Sequence, residues 1–139
     1  MNRAELQKLA RQRVRDSKAL LEKECWAGAY YLAGYAIECA LKSCIAKKTK
    51  RYDFPPDRKI INEIYTHSLT KLVEAAGLKT SLDSETAAFP ELDSNWNTVK
   101  DWSEDKRYSA SISQHEALDL YIAITHRKHG ILKWVRKCW

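Results

Sequence analysis

From Trp26 to Lys48 the chain reads WAGAYYLAGYAIECALKSCIAKK, and no charge interrupts it before Glu38. Ala29, Ala33, Ala36 and Ala40 recur at helical spacing and make one stripe of small side chains, which lets a neighbouring helix approach closely. A helix this apolar has to be surrounded by others, so the segment predicts a helical bundle with this element inside it. Half a turn away lie Tyr31, Gly34, Glu38, Lys42 and Ile45, with Tyr35 beside them. Glu38 is therefore expected opposite the tightest packing. Glu38 and Lys42 also stand in the favourable i,i+4 orientation for an intrahelical pair. Two readings stay open: a pair on the wet edge of a central helix, or a polar pocket floored by Tyr31, Tyr35, Glu38 and Lys42.

The rest of the chain supplies the surrounding helices. Residues 3–24 are helical in period, with Leu6, Ala10, Val14, Ser17 and Leu21 on one face. Lys8, Arg11, Arg15 and Lys18 form a basic ridge on another face, either simply solvated or available to phosphate. YDFPPD (52–57) reads as a loop, because paired prolines cannot continue a helix. Residues 58–65 add a helical turn or two. A further helix carries Leu69, Leu72, Val73 and Ala76 inward, with Ser68 as its N-cap and Gly77 as its stop. Residues 78–89 read as loop, 91–103 as helix with Leu92, Trp96, Val99 and Trp102 on one side, and SEDKRYSAS as a polar connector. The capping box Ser113-Gln-His-Glu116 opens a last helix running toward Trp139. Leu118, Tyr121, Ile122, Thr125, Leu132 and Val135 are its expected inward face, and Gly130 is a point of bending. Four glycines and three prolines in 139 residues favour helices over turn-rich sheet. The expectation is one all-α domain over 1–139, an up-and-down antiparallel bundle of about five helices.

A net charge of +6 suits nucleic acid, a nucleotide or an acidic protein. No apolar run approaches the roughly 20 residues of a membrane span. MNRAELQKLARQRVR has no apolar signal-peptide core, and the four cysteines form no CxxC pair. A cytoplasmic protein with free thiols and no membrane is expected. His115, Asp119, His126 and His129 share a stripe, but no third ligand lies within one turn of both His126 and His129, so no metal is expected. No glycine-rich phosphate loop and no cysteine nucleophile is visible, and no cofactor is expected. The ridge Lys8–Lys18 and the C-terminal HRKHG and KWVRKCW segments combine basic and aromatic residues in the way RNA-binding surfaces do.

The segment Ala36 to Lys42 (AIECALK), following Tyr30 and Tyr31, resembles the A-x-E-x-x-x-K signature of HEPN domains (higher eukaryotes and prokaryotes nucleotide-binding). Thr66-His67-Ser68-Leu69 is similar to that family's Thr-His-x-Leu at a helix start, and Arg107-Tyr108 to its Arg-Tyr before the last helix. The resemblance implies a bundle like the C-terminal domain of kanamycin nucleotidyltransferase, commonly dimeric. It also implies a minimal nucleotidyltransferase partner, often within a toxin–antitoxin pair, and a nucleotide or RNA ligand. The ligand-binding residues it implies, together with the stripe on the apolar helix, are Tyr31, Tyr35, Glu38, Lys42, His67, Arg107 and Tyr108. Arg107 and Lys42 would meet phosphate or carboxylate, and Glu38 would orient one of them. Many relatives are metal-independent ribonucleases with four to six residues between Arg and His. Here the nearest pair, Arg107 and His115, has seven between. A non-catalytic binding module is therefore the first expectation, a ribonuclease using Arg107 and His115 the second, and a protein-only adaptor the third.

Overall fold

The structure, a computed structural model, describes residues 1–49, 62, 64–108 and 111–139, with the backbone alone at Arg107 and Tyr108. These residues form α1 (Arg3–Glu22), α2 (Trp26–Lys48), α3 (Leu69–Ala75), α4 (Lys79–Ala88), α5 (Pro90–Lys100), a 3-10 turn (Glu104–Tyr108), α6 (Gln114–Thr125) and α7 (Ile131–Arg136). No strand occurs among the described residues, as the helical class requires. The seven helices exceed the expected five for two reasons taken up below. The expected loop at YDFPPD and most of the short turn at 58–65 lie outside the described residues.

α1 begins with a capping box between Asn2 and Glu5 and buries Ala10 and Ser17, while its basic ridge is exposed. Its end is closed by two reversed hydrogen bonds, Glu24 N–H to the Leu21 carbonyl and Cys25 N–H to that of Leu20, with Glu24 in the left-handed region. α2 starts at once and runs back along α1. The Ser17 hydroxyl donates to the Ala29 carbonyl at 2.7 Å across the hairpin.

α2 is the centre of the molecule, touching α1, α3, α6, α7 and the 3-10 turn. Thirteen of its 23 residues are buried. The alanine stripe packs as expected, but the opposite stripe is not the open side. Glu38 is 1% exposed and Gly34 is buried with it. Over Gly34 lies Trp102, itself 2% exposed. A Cβ on Gly34 would come within 2.3 Å of the indole, so only glycine lets that ring lie flat on α2. The expectation that Glu38 escapes the tightly packed layer is thus overturned.

α3 has the anticipated ends. Ser68 accepts from the Lys71 N–H, and Gly77, at φ +71°, closes a Schellman motif with Gly77 N–H on Glu74 and Leu78 N–H on Val73. Residues 79–88, expected as loop, are the helix α4. It is polar nearly all round and holds to the body by Leu78 and Leu82, with Pro90 starting α5 immediately after. The SEDKRYSAS connector contains the 3-10 turn. The last helix is two. His126 leaves helical geometry, and its Nδ1 accepts the N–H groups of Lys128 at 3.3 Å and His129 at 3.1 Å, closing a corner from which α7 departs. The buried face of α6 is Ala117, Leu120, Ala123 and Ile124, one step round from the expected face. Ile122 is 53% exposed, and Leu118, Tyr121 and Thr125 are half-buried.

Candidate ligand pocket

The buried carboxylate of Glu38 organises a chain of four titratable side chains drawn from three parts of the sequence. Its Oε1 accepts from Lys42 Nζ at 2.8 Å, one turn along α2, and meets His67 Nδ1 at 2.9 Å. His67 is presented by the segment entering α3, where the Thr66 hydroxyl accepts the Ser68 N–H and Ser68 caps the helix. The other ring nitrogen, Nε2, lies 3.0 Å from Glu104 Oε2 at the start of the 3-10 turn. A ring facing two ionised carboxylates satisfies both only when both nitrogens carry protons. The Lys42 and His67 contacts at Oε1 are what allow a carboxylate 2% exposed to persist inside a helical core. Glu38 Oε2 is also buried and has no hydrogen-bond partner among the described residues.

Beside the cluster, the described residues bound a cavity of about 280 Å³ lined in part by Leu6, Leu9, Tyr35, Glu38, Lys42 and Ile64. Its floor is polar and its walls are apolar, supplied by α1 and by Ile64. Burial, followed by the neighbouring Cys39 and Glu38, pushes the Tyr35 phenol up to about 12. Burial and then Glu38 push the Cys39 thiol up to about 11. Both groups are neutral near pH 7, so Tyr35 offers a hydroxyl and Cys39 is no nucleophile. Cys44, pushed up to about 12 chiefly by burial, is equally inert.

Of the residues singled out in the sequence, Tyr35, Glu38 and Lys42 line this cavity, and His67 joins them through the Glu38 carboxylate. Tyr31 stands one ring removed. It stacks on Tyr35 with centroids 6.0 Å apart and planes 7° apart, and touches Trp102 at 6.0 Å. Arg107 and Tyr108 lie in the 3-10 turn that packs on α2. Their side chains fall outside what the structure describes. His115 is elsewhere on α6, its side chain 86% exposed and its Nε2 3.0 Å from Asp119 Oδ2. His126 is occupied by the α6–α7 corner and His129 Nε2 by Glu91 at 3.0 Å. No group of three or more potential metal ligands occurs among the described residues. Glu104 was missed, because a carboxylate within a polar connector gives no sign of the partner it folds against. Leu6 was read only as part of one face of α1.

No protein-family model, curated protein or solved structure matches the chain. No helix among the described residues is long and apolar enough to cross a membrane.

Proposed function

We propose that this chain is a HEPN-type helical module that binds a mononucleotide in the Glu38 pocket without turning it over. It would work as a dimer beside a minimal nucleotidyltransferase, in a two-component toxin–antitoxin arrangement. The observation that carries the reading is the buried Glu38 carboxylate, held by Lys42 and His67 at the edge of a cavity. Spending a desolvated carboxylate on the middle of the central helix makes little sense for packing alone, and fixed polar groups between apolar walls are the usual make-up of a small-molecule site. At about 280 Å³ the cavity sits at the lower end for such sites, room for a nucleotide and not for folded RNA. Lys42 would meet phosphate, Tyr35 would donate its hydroxyl, and the orphaned Glu38 Oε2 would accept a donor from the ligand.

The test is thermal unfolding in the presence of separate nucleoside mono-, di- and triphosphates. At a hundred-fold excess over Kd, a ligand adds about 2.7 kcal/mol, a rise in Tm of several degrees for a domain of this size. The rise should vanish in Lys42→Met and shrink in Tyr35→Phe. A panel in which no nucleotide moves the wild-type Tm would sink the reading.

A second reading, metal-independent RNA cleavage, is favoured by His115 alone. This imidazole is exposed in the first turn of α6 and oriented by Asp119, the arrangement a general base needs. It also requires Arg107, which precedes it in the 3-10 turn. Cleavage of a labelled RNA by wild type and its loss in His115→Ala would establish it.

A further inference from the structure

Two basic segments far apart in the sequence meet on one aromatic ring. The Arg11 guanidinium, from the exposed ridge of α1, lies 4.7 Å from the centre of the Trp139 ring. That of Arg136, from the end of α7, lies 5.3 Å from the same centre. The two are therefore at most 10 Å apart. Arg3 fixes the arrangement from α1 by donating to the main-chain oxygen of Trp139 at 2.6 Å. Contacts of this kind orient a guanidinium without neutralising it. Neither Arg11 nor Arg136 pairs with a carboxylate among the described residues, and both are exposed. The C-terminal segment is one-signed as well, although Glu85 reaches Lys137 at 3.8 Å from α4. From Leu120 onward the sequence contains no Asp or Glu, but Arg127, Lys128, Lys133, Arg136 and Lys137.

Arg136 also lines an open cavity of about 440 Å³ between the end of α6 and α7. Ile124 and Leu132 make its apolar floor, while His126, Arg127 and Lys133 stand with Arg136 around it. Lys133 Nζ donates to the Arg127 carbonyl at 3.0 Å, which holds this rim in place. The cavity shares no lining residue with the Glu38 pocket.

From this we infer that the Arg11–Trp139–Arg136 cluster and the adjoining α6–α7 cavity form a binding surface for single-stranded nucleic acid, separate from the nucleotide pocket. Guanidinia no more than 10 Å apart can meet neighbouring phosphates of one strand. The cavity, an apolar floor with a histidine and a basic rim, suits an unstacked base beside them. An acidic peptide could satisfy the charge, whereas a strand brings a regular row of phosphates together with a planar base at every step. The inference stands whether or not the Glu38 pocket takes a nucleotide.

Fluorescence anisotropy with a labelled 12-nucleotide single-stranded RNA, repeated with the DNA of the same sequence, tests it between 50 and 500 mM salt. Each single-strand phosphate contact contributes about 0.7 to the slope of log K against log salt. Arg11→Gln/Arg136→Gln should therefore reduce that slope by about 1.4 and weaken binding about 25-fold at 0.1 M salt. Arg127→Gln/Lys133→Gln, on the rim and away from the Trp139 ring, should act similarly and guards against a packing defect in the first pair. Lys79→Gln, an exposed charge on α4, should change nothing beyond its small effect on net charge. Weaker binding of DNA than RNA would add contacts to the 2′-hydroxyl. Three results would overturn the inference: no binding of either strand, an unchanged slope in both double variants, or polyglutamate competing as well as RNA at equal charge.

Discussion

Two of the carboxylate–histidine pairs are nearly equal in length and very different in setting. Glu38 meets His67 at 2.9 Å and Asp119 meets His115 at 3.0 Å. The Glu38 side chain is 2% exposed, whereas those of Asp119 and His115 are 51% and 86% exposed. Distance alone would rank them together. Burial separates them, because water already solvates the outer pair and screens it, while the inner carboxylate has no substitute for its partners. The inner pair is a structural commitment, and the outer one is a loose orientation of a ring.

The largest effect that could break this contrast is Lys42→Met. Removing the cation leaves Glu38 buried with one partner at Oε1, and the expected loss is about 3 kcal/mol of unfolding free energy, measured in urea. Lys42→Met combined with Glu38→Leu should lose less than the single change, because the stranded charge goes with it. If the single change were harmless, Glu38 would not depend on its partners and the contrast would fail.

Next in size is Gly34→Ala, which touches the inner region through packing alone. The new methyl meets the Trp102 ring, which must shift out of its buried seat at a cost of about 1–3 kcal/mol. Displacement of Trp102 toward water should move the tryptophan emission to the red as the Tm falls. An unchanged emission with a lowered Tm would place the strain elsewhere.

Alkaline pH sharpens the contrast from another side. The Cys39 thiol beside Glu38 is pushed up to about 11, against 9.0 in the open chain. As pH rises above 9 the unfolded chain releases this proton first. The stability that rests on the neutral thiol is therefore complete below pH 9 and is lost between 9 and about 11. The slope is about 1.4 kcal/mol per pH unit for this group. Cys39→Ala should flatten the profile by that amount, and an unaltered slope would show that the inner region does not feel the thiolate.

How much of this was legible in the sequence depended on whether one segment carried the information by itself. α2 announced its place at the centre because its own alanines and missing charges require neighbours on every side. The ends of α3 were legible because Ser68 and Gly77 act locally on adjacent backbone. α4 was not, since Thr80, Ser81, Asp83 and Ser84 give it a loop-like composition and Leu82 is its single buried anchor within the helix. The buried state of Glu38 was hidden for a different reason: the groups that meet that side of α2, His67 at Glu38 and Trp102 at Gly34, are brought from far along the chain. The same holds for Glu104, whose role exists only once the 3-10 turn has folded against α2 and His67. On α6 the period was visible but the face was read one step off. A helix that is apolar on more than one side does not say which side its neighbours take.

The smallest expected effect belongs to the outer pair and decides whether exposure is the right explanation. His115→Ala removes an imidazole that water surrounds on most sides, and exposed ion pairs contribute roughly 0.2–1 kcal/mol at most. The expected loss is a few tenths of a kcal/mol, at the edge of what urea unfolding resolves, and it should disappear in 1 M salt, where the screening length falls to about 3 Å. The inner pair, whose carboxylate is buried although the His67 ring is 44% exposed, should keep more of its contribution in the same buffer. A double-mutant cycle of Glu38→Gln with His67→Ala, set against Asp119→Asn with His115→Ala, measures both couplings directly. Couplings of similar size in the two cycles, or a large salt dependence in the inner one, would mean that Glu38 is better hydrated than its burial implies, and the pocket beside it would then be open to water even when empty of ligand.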